Sequence, residues 1–313
     1  MRKIILLVLI TFVIYNVKGQ TSADVGKIAL SVIMPDNVEG LDVSQLSKLE
    51  TKITQIVTSS GIAASGYNHN FVIYPKFAIY ETNLVEGGMQ NITVSTCELS
   101  LFIKQVDNNI LFSTYSKQLK GSGTNKQASI TNAISKIATE DAAFKTFIAT
   151  GKSKIVEYYE LKCPDIVSQA DAYSKMQDYE QALGLLQSVP TEVSCYNNIK
   201  VKSIEVYKAY QNARCSAQIQ EAKTNLAANN FSGALNILSD IDPSTTCYKE
   251  AQPLITKAEA QIDVEQKKEW DLKMKIYDDA VALEKLRINA VKDIAVAYYK
   301  SKPTTVNYAL IVK

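Results

Sequence analysis

Residues 163–195 read CPDIVSQADAYSKMQDYEQALGLLQSVPTEVSC, and residues 215–247 read CSAQIQEAKTNLAANNFSGALNILSDIDPSTTC. The second stretch begins 52 residues after the first, and in each the two cysteines lie 32 positions apart. Ala170/Ala222, Tyr179/Phe231, Ala182/Ala234, Leu183/Leu235, Leu186/Leu238 and Val189/Ile241 occupy equivalent positions. Self-similarity at a fixed period marks a duplicated supersecondary unit, one that buries its apolar face only with help from its neighbours. Within each copy the apolar residues recur at three- and four-residue steps, the period of a helix. The short runs Tyr179–Ser188 and Phe231–Ser239 read as second helices folding back on longer ones. No Gly or Pro interrupts residues 191–232, so Tyr196–Ala228 reads as one long helix.

The phrases Gln177-Asp178-Tyr179-Glu180-Gln181-Ala182-Leu183 and Asn229-Asn230-Phe231-Ser232-Gly233-Ala234-Leu235 carry a resemblance to the tetratricopeptide repeat family. Alanines at 170, 182, 222 and 234 let paired helices approach closely. The resemblance implies helical hairpins that dock other proteins. The 52-residue period departs from that family's shorter one, and two hairpins fall short of the three or more repeats that such arrays normally need.

In a helical hairpin the start of the first helix lies beside the end of the second. Each cysteine pair brackets one hairpin in that way, so the repeat selects Cys163–Cys195 and Cys215–Cys247 from the three connectivities open to four cysteines. The rival is a four-cysteine zinc site, but such sites carry close C-x2-C pairs, and none occurs here.

The disulfide reading depends on an oxidising compartment. Met1-Arg2-Lys3 is basic, Ile4–Tyr15 is apolar except for Thr11, and Asn16–Gln20 is polar. This is the pattern of a signal peptide over residues 1–19, with cleavage near Gly19/Gln20. The apolar run is shorter than the roughly 20 residues of a bilayer span. No Cys follows it, which argues against a lipid anchor at that site.

Upstream of the repeat the pattern changes. Lys27–Met34 is rich in β-formers and stops at Pro35. Asp42-Val43-Ser44 opens an amphipathic helix through Leu46, Leu49, Ile53, Ile56 and Val57. Three β-type runs follow, Phe71–Tyr80, Ile92–Val106 and Ile110–Leu119, separated by Gly87-Gly88 and by the turn Asp107-Asn108-Asn109. Gly121-Ser122-Gly123 reads as the turn that ends the sheet. Helices follow at Ile130–Ile137 and from Asp141, with a break expected near Gly151. The order β-α-β-β-β-α-α predicts an α+β domain. In element order, and in Ser59-Ser60-Gly61 before a β-run and Leu119-Lys120-Gly121 before a helix, it resembles TolB-like, curli-secretion-lipoprotein-like and flagellar-assembly-T-like envelope domains. That resemblance implies binding to other envelope proteins and no catalytic residues.

The expected organisation is therefore a signal peptide at 1–19, an α+β domain at 20–160, a tetratricopeptide-like helical domain at 161–300 opened by Pro164, and a terminal strand or tail at 301–313. Residues 249–300 keep a rough helical period and, if unbroken, form one helix of about 75 Å. Aromatics along these helices, Tyr207, Tyr210, Trp270 and Tyr277, with Tyr298 and Tyr299, are candidates for an interaction surface.

The chain has 313 residues with 34 basic and 32 acidic side chains, a net charge of +2, which makes no electrostatic case for nucleic acid or an anionic membrane. Association with a membrane is then expected only through partners. The chain has one His and five Cys. A thiol-dependent hydrolase would have to pair Cys97 with His69, and no oxyanion loop or orienting group accompanies them. Phosphate loops, dinucleotide fingerprints, H-E-x-x-H and calcium loops are absent from the sequence, so no cofactor and no metal is expected. The leading expectation is a non-enzymatic scaffold or adaptor, periplasmic or on the outer surface, that binds envelope or secreted proteins or copies of itself. The alternative is an exported ligand- or glycan-binding protein that uses its N-terminal domain.

Overall fold

A computed structural model describes residues 27–63, 70–86 and 91–301. The expected signal peptide, His69, the Gly87-Gly88 turn and the tail from residue 302 lie outside the described residues.

The N-terminal part has the expected order: β1 (Leu30–Val32), α1 (Val43–Ser59), β2 (Phe71–Val85), β3 (Ile92–Gln105), β4 (Leu111–Gly123), α2 (Lys126–Ser135) and α3 (Ala142–Lys175). The four strands form one mixed sheet in the order β1-β2-β3-β4, with β1 parallel to β2 and the other pairs antiparallel. Parallel neighbours require a crossover, and α1 supplies it. Its start is set by a reciprocal cap: the Asp42 carboxylate accepts from the Gln45 amide N–H at 2.8 Å, and the Gln45 side chain accepts from that of Asp42 at 3.0 Å. Strand alternation decides which face is covered. Cys97, Leu99, Leu101 and Ile103 are fully buried on the face that takes the helices, where Leu49, Ile53, Ile130, Ile134 and Phe144 pack. Gly121-Ser122-Gly123 forms the end of β4 rather than a turn beyond it.

Two expectations about α3 fail. Gly151 does not break it; the residue is buried, and an added Cβ would lie 2.6 Å from Ile103 Cδ1, so glycine is what lets this helix lie on the sheet. Pro164 does not open a helix but lies inside one 34-residue helix that runs through the boundary expected at 160. An interior proline costs about 3 kcal/mol. Burial of Cys163 and Ile166 on either side holds the helix together across it.

The helical part continues with α4 (Tyr179–Gln187), α5 (Tyr196–Ala227), α6 (Phe231–Ser239), α7 (Tyr248–Glu259), α8 (Val264–Asp278) and α9 (Ala280–Ser301). The duplication holds down to single atoms. Gln177 and Asn229 both end their helices at positive φ, 63° and 56°. The next backbone N–H donates back to Tyr173 O in one copy and to Asn225 O in the other, both at 2.9 Å. At the far end of each hairpin, Ser194 N donates to Glu160 Oε1 at 2.7 Å, and Thr246 N donates to Asn212 Oδ1 at 2.9 Å. All these pairs are separated by the 52-residue period.

The single helix considered for 249–300 is instead three. Asp263 starts α8 by accepting from Glu265 N and Gln266 N at 2.9 and 2.8 Å. Asp279 is extended, with φ −102° and ψ 110°, and its carboxylate caps α9 at Val281 N, 2.9 Å away. The two reversals bring α9 back onto α4.

Packing divides at a place the sequence did not suggest. One buried cluster runs from Ile28 through the sheet and the first hairpin to Tyr207, and also takes in Val291 of α9. The second runs from Cys215 to Trp270. The division falls within α5, so the first hairpin shares its core with the sheet.

Candidate functional site

A cleft of 460 Å³ lies where the β3–β4 turn, α3, α4 and the end of α9 converge. One face of α3 supplies its floor. Tyr158, Lys162, Asp165, Gln169 and Tyr173 follow one another at three- and four-residue steps and line it together with Ile166. Gln105 enters from the end of β3, with Asp107 and Asn108 in the turn that follows. Gln181, Leu185 and Ser188 come from α4, and Tyr298 and Tyr299 from α9.

Tyr159 anchors the base. Its ring is 1% exposed and lies edge-on to Phe71 at 6.0 Å and to Tyr158 at 5.3 Å. Its hydroxyl accepts from Gln105 Nε2 at 3.1 Å and from Asn70 Nδ2 at 3.3 Å. Burial pushes this phenol up to about 12 and raises the Tyr299 phenol as well, so both are neutral at ordinary pH. The Tyr299 hydroxyl donates to Gly184 O at 2.9 Å. Gln105 is 3% exposed, its amide nitrogen is committed to Asn70 and Tyr159, and its carbonyl oxygen has no partner. At the rim, Lys162 Nζ donates to Asp165 at 3.0 Å.

The cleft's lining is made mainly of carboxamides, phenols, two carboxylates and one ammonium group. None of its lining side chains is a histidine or cysteine, and no group of three or more metal-ligating side chains occurs among the described residues.

The residues singled out from the sequence fall elsewhere. Both disulfides are present, Cys163–Cys195 with Cα atoms 6.6 Å apart and Cys215–Cys247 with 6.1 Å. Each pins the first helix of a hairpin to the start of the helix that follows it. Of the aromatics considered as an interaction surface, Trp270 and Tyr207 are buried, at 5% and 6% exposure, and so pack inward instead. The Trp270 indole donates to Glu259, and the Tyr207 hydroxyl accepts from Gln211 at 3.0 Å. Tyr277 is half-buried and donates to Ser239 O. Tyr210 is half-buried against Tyr179, with the Arg214 guanidinium 5.1 Å from its ring. The apolar side chains that do face outward from α8 are Val264, Leu272 and Ile276, the last two one helical turn apart. Cys97 is fully buried within the sheet core, and burial pushes its thiol up, so it packs as a small apolar residue.

One residue marks the cleft in the sequence. Gln105 follows Cys97, Leu99, Leu101 and Ile103 in the inward-facing register of β3. A carboxamide at a position where alternation calls for an apolar residue points to a polar site behind the sheet.

No family model matches the chain, and no curated protein matches it. Among solved structures the chain is similar to a minor lipoprotein from Acinetobacter baumannii, with 14% identity over 41% of this chain and 92% of that one and a TM-score of 0.28. At that level the likeness assigns neither fold nor function. No helix of the described residues is long and apolar enough to cross a membrane.

Proposed function

We propose that this chain is an exported, non-enzymatic scaffold of the cell envelope that binds other envelope or secreted proteins. The observation that carries the reading is the build of the helical part: two hairpins of identical plan, each closed by its own disulfide, the first continuous with the sheet domain through the 34 residues of α3. Such a build resists bending and presents helix faces at a set distance from the sheet. The disulfides favour an oxidising compartment, and the signal-like N-terminus points the same way. Leu272 and Ile276, exposed on α8, give a place for a partner or a second copy to dock.

A photo-cross-linking residue at Leu272, in the full chain expressed in its own host, tests this. The expected result is a discrete adduct of defined mass, absent when the same residue replaces exposed Lys126 on α2. Equal, diffuse labelling from both positions would remove the scaffold reading.

A further inference from the structure

We infer that the cleft between the β3–β4 turn, α3, α4 and α9 binds a neutral saccharide. Its 460 Å³ lies within the range of roughly 300–1,000 Å³ occupied by small-molecule sites. Three properties select the ligand class, and none depends on the scaffold reading.

The first is the orphaned acceptor. A buried carbonyl oxygen left without a hydrogen bond costs about 1–3 kcal/mol, and the side-chain oxygen of Gln105, a residue of the lining, is in that state. It requires a donor, and the nitrogen beside it is already committed, so the arrangement is set to receive a hydroxyl. The second is the composition of the remaining lining. Asn108, Gln169 and Gln181 each offer a donor and an acceptor side by side, which matches vicinal hydroxyls, while the half-buried rings of Tyr173 and Tyr298 offer faces for the C–H surface of a pyranose. The third is charge. Lys162 and Asp165 neutralise each other at 3.0 Å, and Asp107 is not free either. The lining therefore offers a ligand no net charge from this pair. A purely apolar ligand would leave the Gln105 oxygen unsatisfied.

The test is calorimetric titration of the full chain with maltotetraose, cellotetraose, xylotetraose and N,N′-diacetylchitobiose, alongside spermidine and inorganic phosphate. We expect saturable binding of at least one of the four sugars and of neither charged probe. Tyr173→Ala and Gln181→Leu alter half-buried side chains, and each should weaken that binding roughly tenfold, equivalent to about 1.4 kcal/mol. Gln105→Leu, which removes the orphaned oxygen, should abolish it. Unchanged circular dichroism and melting of the Tyr173 and Gln181 variants separate loss of binding from loss of fold. The proposal is overturned if no sugar binds up to about 10 mM, if only spermidine or phosphate binds, or if sugar binding survives in all three variants.

Discussion

Arg287 of α9 holds Asp242, at the exit of the second hairpin, through two nitrogens, Nε at 2.7 Å and Nη2 at 2.6 Å. The Asp242 side chain is 3% exposed and that of Arg287 15%, so the pair is removed from water. Ser244 adds its backbone N–H and hydroxyl to the same carboxylate at 2.8 and 2.7 Å. This is the fixed point between the returning helix and the second hairpin.

Arg287→Ala strands that carboxylate. Removing one partner of a buried ion pair costs about 3–5 kcal/mol, and we expect a loss of that order in urea unfolding at pH 7. Burial alone would raise the Asp242 carboxyl, but the hydrogen bonds from Arg287 and Ser244 outweigh it and hold the group below the usual carboxylate range. Its stabilising effect is therefore complete above the unfolded value of about 4 and fades as pH falls through the lower folded value. The gap between wild type and Arg287→Ala should be widest near neutrality and narrow below about pH 4. A gap independent of pH would show that the pairing is not its source.

The two disulfides should be separable. Each joins cysteines 32 apart, and removing either should cost about 3–4 kcal/mol. Cys215→Ala/Cys247→Ala affects only the smaller, second core, whereas Cys163→Ala/Cys195→Ala affects the core shared with the sheet. Hydrogen exchange should then show α6 and α7 opening first in the former variant, and the sheet losing protection only in the latter. Loss of sheet protection in both would mean that the two cores act as one.

Gly184 on α4 has no room for a side chain. An added Cβ would sit 2.4 Å from Tyr298 Cδ1, and its carbonyl accepts from Tyr299. Gly184→Val should push the end of α9 away at a cost of about 1–3 kcal/mol. Faster amide exchange across 291–301, with the sheet unchanged, is the expected result.

Cys97→Ser puts a hydroxyl into a fully buried, apolar part of β3. A cost of about 1–3 kcal/mol is expected, and Cys97→Val should be tolerated far better. The two substitutions being equally harmful would point to a role for the sulfur beyond packing.

Much of this molecule can be read in its sequence, for reasons tied to particular residues. The strands and hairpins show because their apolar positions repeat at short range, and the disulfide pairing shows because Cys163 and Cys215 begin equivalent units. Asp263 with Gln266 is a capping box that marks the start of α8, yet the apolar residues on either side keep enough helical period to hide the break. Pro164 does not mark a helix start because its local cost is overcome by the burial of Cys163 and Ile166 on either side of it. The cleft could not be assembled beforehand. Gln105, Tyr158, Gln181 and Tyr298 come from four separate segments, and only the return of α9 brings the last of them to the others.

The placement of the core division inside α5 gives the two copies of the duplicated unit unequal fates. One has been absorbed into the foundation of the sheet and stands or falls with it. The other has a smaller core of its own, closed by a disulfide and tied to α8 and α9. With its buried residues grouped apart from those of the sheet, the second copy is where a substitution is expected to put the foundation at least risk.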